Sequence, residues 1–350
     1  MQLAVFRWPG LVIAASLLAS ACGTDPVTPP PTGAPGTLEH TFPGFSVNPG
    51  DNIYTCQSWT LDNDEAVYVN AVHMTTQGGF HHANLLFVPE DLFVGPDGTW
   101  PCDERTYSEV AAGISGGVFF AMSTQATEDA QQFPPGAAYR IPPRSRVIGG
   151  VHLLNTTTAP LTTAMTVSAT TLPQALVTTP LQELYITNTA LDLPARTVGA
   201  FTTDCNVATS YRGRAREAMA FNIYYVLPHF HELATGFKLE LSGGTRDGDL
   251  VFETGGGVGD PLGQTMTAPF NVAGADGFRL TCTFDNATDT AVRYGLARED
   301  EMCVLLAYTD APVKVLGQSS GTSVAGTPDV DGTVPFDVGC MGLAVSPMNN

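Results

Sequence analysis

Lysine is almost missing from this sequence of 350 residues, where Lys238 and Lys314 are the only two. Charged residues of any kind make up 14% of the chain, and the acidic ones prevail to give a net charge of −19. A chain this acidic repels phosphate backbones, which argues against a nucleic-acid partner. Disorder is excluded as well, because 43% of the residues are hydrophobic and the charge content is low.

Long hydrophobic runs are missing beyond the N-terminus. The run LVIAASLLASA at 11–21 is too short for an ordinary transmembrane helix, and small residues lead from it to Cys22, as in an export signal. We therefore predict a signal peptide with a lipoprotein cleavage box over 1–22, lipidation of Cys22, and a Pro-rich tether over 23–36. The predicted location is the bacterial cell envelope, with the lipid anchor in the outer membrane as the membrane contact. The alternative is simple secretion of the cleaved chain.

CxxC pairs are absent, which weakens a zinc-ribbon or thioredoxin-like interpretation. The cysteines that remain after Cys22 are even in number, and an exported chain folds in an oxidising compartment. Three disulfides are therefore expected, although the spacing alone does not choose between the pairings. The cysteines concerned are Cys56, Cys102, Cys205, Cys282, Cys303 and Cys340.

Helical periodicity is equally scarce. Only TYSEVAAGISG at 106–116 is a helix candidate, whereas short β-branched runs alternate with turns that draw on the 36 glycines and 26 prolines. This pattern predicts an all-β fold of antiparallel sandwiches, one in each half of the chain. The predicted domains cover 37–172 and 177–345, and PQALVTTPLQ at 173–182 is the predicted joint.

The sequence does contain histidines in apolar strand contexts. His229 and His231 occupy alternate positions in VLPHFHELA, so their side chains point to the same face of a strand. A metal ion explains this pair, and so do two half-buried imidazoles that are hydrogen-bonded to the backbone. The pair alone does not decide between the two interpretations.

The remaining histidines favour the metal. His81 and His82 are adjacent, and joint ligation from neighbouring strand positions requires a bulge or a strand end, which Gly78 and Gly79 would permit. His152 stands in the hydrophobic run VIGGVHLLN, where an unpaired imidazole is costly. Neutral imidazole suits zinc, copper, nickel and iron. The two histidines that are predicted not to be ligands are His40 and His73.

Met302 favours one of these metals over the others. It lies beside Cys303 in the polar turn REDEMC, where a methionine is usually only a packing residue. A thioether joined to two imidazoles makes a soft site that favours copper, above all Cu(I). The zinc-protease pattern HExxH is absent, because the histidine that it requires after Glu232 is missing.

Together these residues resemble the copper type II, ascorbate-dependent monooxygenases, whose best-known members are peptidylglycine α-hydroxylating monooxygenase and dopamine β-monooxygenase. Four motifs occur in the family's order within 43–342: an HH pair before an LLF run, a lone strand histidine, an HxH pair and an EMC motif. The ligand positions that these motifs fill are His81, His82, His152, His229, His231 and Met302.

The resemblance implies two antiparallel, jelly-roll-like β-sandwich domains that face each other across a cleft. It also implies two coppers per chain. The first three histidines would hold an electron-storing copper in the N-terminal domain, and His229, His231 and Met302 would form the catalytic site for the copper that meets O₂. With ascorbate as the reductant, such an enzyme hydroxylates a C–H bond of a small-molecule substrate.

The resemblance further implies how the cysteines pair. The last of the implied disulfides would anchor the turn that carries Met302. The implied pairs are Cys56–Cys102, Cys205–Cys340 and Cys282–Cys303.

Departures from the family's peptide-amidating branch concern the substrate. Leu227 stands where that branch has an arginine that clamps a peptide carboxylate, so the bidentate contact is lost. Val304 and Leu306 replace an asparagine and a tyrosine, Gly150 replaces a glutamine, and Tyr54 alone keeps a pocket-side match. We therefore expect a smaller or more apolar substrate, bound near Tyr54 and Leu227.

Two alternatives remain open. The apolar replacements are compatible with a non-catalytic extracytoplasmic copper-binding lipoprotein that kept its ligands and lost its substrate pocket. A structural cell-surface sandwich with incidental histidines is the other alternative, but it gives no reason for six ligands in the family's order.

Overall fold

The computed structural model describes residues 34–297 and 299–347. The predicted signal peptide, the lipidation site at Cys22 and nearly all of the Pro-rich tether lie outside these residues. Strands account for 55% of the structure and helices for 8%, so the all-β prediction is confirmed. In the part of the chain that the structure describes, the helices are too short or too polar for a membrane span.

Alternating side chains set the strands of the first half. In VYVNAVHMTT, Val72 and Met74 are fully buried and His73 between them is exposed, because neighbouring strand residues face opposite sides of a sheet. The strands of this half are β1 Gly36–Thr41, β2 Phe45–Val47, β3 Asn52–Thr60, β4 Val67–Thr76, β5 Phe80–Pro89, β6 Gly98–Trp100, β7 Gly117–Ala121, β8 Glu128–Gln132, β9 Ala137–Ile141, β10 Ser145–Leu154, β11 Leu161–Thr163 and β12 Met165–Leu172.

The second half follows the same rule. Phe237, Leu239 and Leu241 are buried in FKLELS, and the charged residues between them are half-exposed. The strands of this half are β13 Thr179–Thr187, β14 Asp192–Leu193, β15 Thr197–Asn206, β16 Asn222–His229, β17 Ala234–Ser242, β18 Leu250–Thr254, β19 Gln264–Asn271, β20 Gly277–Asn286, β21 Val292–Arg293, β22 Val304–Thr309, β23 Lys314–Val324 and β24 Val334–Val345.

The sheets connect the two halves. A five-stranded sheet in the order β6-β3-β10-β5-β7 belongs wholly to the first half, and its central strand β10 is buried along its entire length. A larger sheet runs from β1 through β12, β4 and β9 into β13 and the second half. The crossing point is a short parallel pairing of β9 with β13, from Thr179 opposite Ala137 to Leu181 opposite Tyr139. One apolar core therefore continues from one half into the other.

Short helices interrupt the strands. Helix α1, Glu109–Ser115, lies inside the predicted segment 106–116, and its N-cap Ser108 accepts a hydrogen bond from the backbone N–H of Ala111. Helix α2, Ala208–Ala215, was not predicted from the sequence, because ATSYRGRA has almost no apolar stripe.

The described residues contain three disulfides. They join β3 to the turn after β6, β15 to β24, and β20 to the segment just before β22. Crosslinks of this kind indicate an oxidising, extracytoplasmic environment. The pairs are Cys56–Cys102, Cys205–Cys340 and Cys282–Cys303, the same pairs that the family resemblance implied.

Candidate metal centre

A β-bulge brings His81 and His82 to the same centre. In the pairing of β10 with β5, His152 lies opposite His82 and Leu153 lies opposite Phe80, so that His81 is the extra residue. The bulge follows Gly78 and Gly79, which adopt φ values of 86° and 76° that only glycine accepts without strain. The predicted irregularity is therefore present, and it turns two adjacent imidazoles toward His152.

The ligand residues of the second half lie where two paired strands end. His229 is the last residue of β16 and lies opposite Val304, the first residue of β22, so His231 and Met302 sit just beyond the same end of the sheet. The disulfide between Cys282 and Cys303 ties the segment next to Met302 to β20.

Histidines from the two halves are in direct contact. The ring centroids of His81 and His231 are 4.6 Å apart, those of His82 and His229 are 5.1 Å apart, and His82 stacks on His231 at 5.4 Å. These rings form two groups of three, and in each group the ligand nitrogens all lie within 4.8 Å of one another. His82 belongs to both groups, which are His81–His82–His152 and His82–His229–His231.

Hydrogen bonds between the halves hold the two sets together. The hydroxyl of Thr124 donates to the carbonyl of Phe230 at 2.6 Å, between the two histidines of the HxH pair. The side-chain amide of Gln125 donates to Nδ1 of His81 at 3.4 Å and to the carboxylate of Glu232 at 3.2 Å. The turn that ends β7 thus fixes the HxH segment against the bulge in β5.

Burial keeps four of these imidazoles neutral. Desolvation lowers the pKa of His229 to about 3 and that of His152 to about 4. The pKa of His82 lies well below its usual value, because the ring is enclosed and four other histidines surround it. Desolvation also lowers the pKa of His231. Since the neutral ring is the form that binds a metal ion, the cluster is ready for ligation at neutral pH.

In two of these histidines a hydrogen bond occupies one ring nitrogen and leaves the other available to a metal ion. Nδ1 of His231 donates to the carbonyl of Asp300 at 3.0 Å, and Nε2 of His152 faces Oδ1 of Asn52. Within the described residues, the opposite nitrogens of these two rings and both nitrogens of His82 have no hydrogen-bond partner. Buried polar atoms without a partner are costly, and a metal ion would satisfy them. The buried clusters can therefore hold a metal ion.

Glu301 connects the HxH segment to the segment that carries Met302. Its carboxylate accepts backbone N–H groups from His231 at 2.9 Å, from Leu233 at 2.6 Å and from Met302 at 3.2 Å. Burial raises the pKa of Glu301 to about 7 despite these three hydrogen bonds, which lower it.

An apolar cavity of about 230 Å³ adjoins the second group of ligands. His229 and Met302 line it together with Leu227, Val304 and Leu306. Three of the four predicted departures from the peptide-amidating pattern thus share one cavity with two predicted ligands. Tyr54, the other predicted substrate residue, is not among the described residues that line this cavity; its side chain is partly exposed.

Two polar features of this cavity were not predicted from the sequence. Glu109, at the start of α1, and the buried ion pair of Glu183 with Lys314, 3.3 Å apart, also line it. The available signal was Lys314 itself, a rare lysine between two valines. No local pattern singles out Glu109, because the first turn of a helix commonly carries an acidic residue.

The two histidines predicted not to be ligands lie outside the cluster. His40 stacks on Trp59 with ring centroids 4.5 Å apart, and His73 is exposed and pairs with Glu128 at 3.0 Å. Neither belongs to a group of described residues that could hold a metal ion.

Comparisons with known proteins add little to this geometry. No family model and no curated protein matches the chain. Among solved structures it is similar to the PBSX exported protein XepA, at 7% identity over 77% of this chain and 86% of that chain, with a TM-score of 0.20. A likeness this weak carries no argument about fold or function.

Proposed function

We propose that this protein is a copper-dependent monooxygenase that hydroxylates a C–H bond of a small, mostly apolar substrate with O₂ and ascorbate. One observation carries the proposal: His229, which belongs to a group of buried imidazoles that can hold a metal ion, lines an apolar cavity together with Met302. Two imidazoles and a thioether form a donor set that suits copper in its reduced state. The resemblance of the sequence motifs to the ascorbate-dependent monooxygenases supports the same chemistry.

In this proposal the predicted ligands form two copper sites. His81, His82 and His152 would hold the electron-storing copper, and His229, His231 and Met302 would hold the copper at which the substrate reacts. Copper bound in these two places supplies one-electron transfer and O₂ activation. The protein supplies the neutral nitrogens, the fixed ring orientations and the burial that keeps bulk water away from the ligands.

The cavity walls support a small apolar substrate. Leu227, Val304 and Leu306 offer neither charge nor hydrogen bonds, so they exclude water and hold a hydrocarbon surface beside Met302. A peptide carboxylate has no arginine to bind at position 227. The same walls therefore argue for an apolar substrate and against peptide amidation.

The cellular location belongs to the proposal as well. Three disulfides require oxidation after export. We place the mature chain on the bacterial envelope, held by lipid on Cys22 and extended from the membrane by the Pro-rich tether. There it would meet O₂ and a small reductant such as ascorbate.

The test combines copper analysis with an ascorbate-driven O₂-uptake screen. We expect two coppers per chain and O₂ uptake that depends on one member of a library of small amines, acyl-glycines and aromatic compounds, with a hydroxylated product. Met302→Ile should abolish product formation. Full hydroxylation by this variant would show that Met302 has no role at the reacting copper.

A non-catalytic copper-binding lipoprotein is the second candidate. It is favoured by the complete enclosure of His81, His82 and His231, each 0% exposed, because deep burial suits storage of a metal ion. Copper binding without turnover across the whole library would support this function, whereas one hydroxylated product would exclude it.

A further inference from the structure

The cavity beside Met302 contains a carboxyl group that metal binding does not use. Oε2 of Glu109 accepts a hydrogen bond from Nδ2 of Asn84 at 3.2 Å. Oε1 is buried and has no hydrogen-bond partner among the described residues. Burial raises the pKa of Glu109 to about 7. A buried oxygen without a partner is unfavourable unless a ligand supplies the missing donor.

Gly150 leaves room for this carboxyl group. A Cβ atom built on Gly150 would lie 2.5 Å from Oε1 of Glu109 and 2.6 Å from the hydroxyl oxygen of Tyr54. Any side chain at position 150 would therefore displace Glu109, Tyr54 or both. The glycine that departs from the peptide-amidating pattern is a structural requirement for Glu109.

Among the described residues, the cavity has no free cation. Lys314 is the one lysine or arginine of the described chain that lines it. Its ammonium group is 3.3 Å from the carboxylate of Glu183 and donates to the carbonyls of Gly113 and Gly116. All three of its donors are thus used within the protein, and a carboxylate ligand would meet Glu109 without a counter-charge.

The size of the cavity limits the ligand. A cavity of about 150 Å³ lined by aliphatic and aromatic side chains accommodates benzene, and this one holds about 230 Å³. Its volume therefore fits one ring with a short side arm. The remaining walls are mainly aliphatic, including Leu86, Val110, Ile114 and Val118.

We propose that Glu109 is a specificity residue of this cavity and accepts a hydrogen bond from an ammonium or hydroxyl group at one end of an otherwise apolar ligand. That this ligand is the substrate rests on the proposed function, whereas its binding does not. The cavity favours donors over carboxylates, because Oε1 of Glu109, a buried oxygen that lacks a partner, is an acceptor.

The test uses four probes that share one ring: toluene, benzyl alcohol, benzylamine and benzoate. Their affinities for the mature chain loaded with Cu(I), a soft ion that binds carboxylates weakly, are measured by calorimetry. At least one of the two donor probes should bind about tenfold more tightly than toluene, and benzoate should bind most weakly. Comparison of the alcohol with the amine shows which donor Glu109 prefers.

Two variants and a control identify the residue. Glu109→Gln should remove the advantage of the donor probe and leave toluene binding unchanged, because Nδ2 of Asn84 would hold its one acceptor oxygen and its NH₂ group would face the cavity. Glu104→Gln, at an exposed position nearby, should change neither. Gly150→Ala should weaken the donor probe by displacing the carboxyl group while keeping its charge. An amine that bound directly to copper would keep its affinity in Glu109→Gln.

Three outcomes would overturn the proposal: benzoate binding as tightly as the donor probes, an unchanged ranking in folded Glu109→Gln, or no binding of any probe. If the O₂-uptake screen failed but the probes bound in the expected order, the monooxygenase proposal would be refuted and the role of Glu109 would stand. Turnover combined with an unchanged probe ranking in the variants would refute the role of Glu109 and leave the monooxygenase proposal in place.

Discussion

The backbone N–H of His231 donates to Oε2 of Glu301 at 2.9 Å. The same carboxylate accepts from Leu233 on its other oxygen and from Met302, so one buried side chain orients both segments that carry the ligands of the second group. The orientation of His231 and the position of Met302 therefore depend on each other through Glu301, although 70 residues separate Glu301 from His231.

Glu301→Gln should weaken both stability and metal binding at the second group. Glutamine keeps one acceptor oxygen but turns an NH₂ group toward a backbone N–H, and a hydrogen bond to a charged group contributes about 1.5–3 kcal/mol. The free energy of unfolding should fall by about 2 kcal/mol, and the copper content should fall from two per chain toward one. Urea denaturation and metal analysis measure these changes. Glu253→Gln, on an exposed position of β18, is the control, and equal effects in both variants would contradict the role of Glu301.

His82 should be the most damaging single histidine to remove. His82 would hold the electron-storing copper, and its ring also packs against His229 and His231, so His82→Ala should lower the copper content at both sites, whereas His152→Ala and His229→Ala should each affect one. His73→Ala, which removes an exposed imidazole, should leave the copper content unchanged. Copper stoichiometry of the four variants checks this order. Loss of only one copper from His82→Ala would show that the two groups do not share this residue in the metal-bound protein.

Removal of one partner from the ion pair of Glu183 with Lys314 should destabilise the protein strongly, whereas replacement of both partners by apolar residues should destabilise it less. Both side chains are buried, at 7% and 5% exposure, and Glu183 also accepts from the backbone N–H of Val118. Removal of one partner leaves a buried charge, which destabilises by about 3–5 kcal/mol, whereas apolar replacement of both is often neutral. Lys314→Met should therefore destabilise strongly, and the addition of Glu183→Leu should restore part of the loss. Thermal denaturation of the single and double variants tests this, and additive losses would contradict it.

The stability of the metal-free protein should depend on Glu109 between pH 4.5 and about 7. Burial raises the pKa of Glu109 from 4.5 to about 7, so the folded state holds a proton that the unfolded state releases. The resulting stability is fully present below pH 4.5 and is lost as the pH rises through 7, by up to about 3 kcal/mol. The neighbouring Tyr54 and Tyr107, whose pKa values are also raised by burial, do not titrate in this window.

Glu109→Gln removes this dependence. Relative to the parent protein, the variant should gain stability as the pH rises from about 5 to about 8, as measured by urea denaturation at the two pH values. The same difference in unfolding free energy at both pH values would show that the carboxyl group titrates normally.

The sequence by itself determined the parts of this protein that depend on local pattern and residue type. Alternation of β-branched residues predicts strands, and the structure confirms an all-β fold and the short helix within 106–116. Two adjacent histidines after two glycines predict a bulge or a strand end if both bind one metal ion, and the structure has a bulge at His81. The apolar character of Leu227, Val304 and Leu306 likewise follows from residue type alone.

Only the tertiary structure decided how distant segments meet. The contact between the two histidine sets, with His82 in both groups, depends on the parallel pairing of β9 with β13 and on the hydrogen bonds near Thr124. Glu109 reaches the cavity because α1 packs against β5 and Gly150 leaves it space. Such contacts follow from the path of the whole chain, whereas the periodicity of a segment reports only which of its faces is buried.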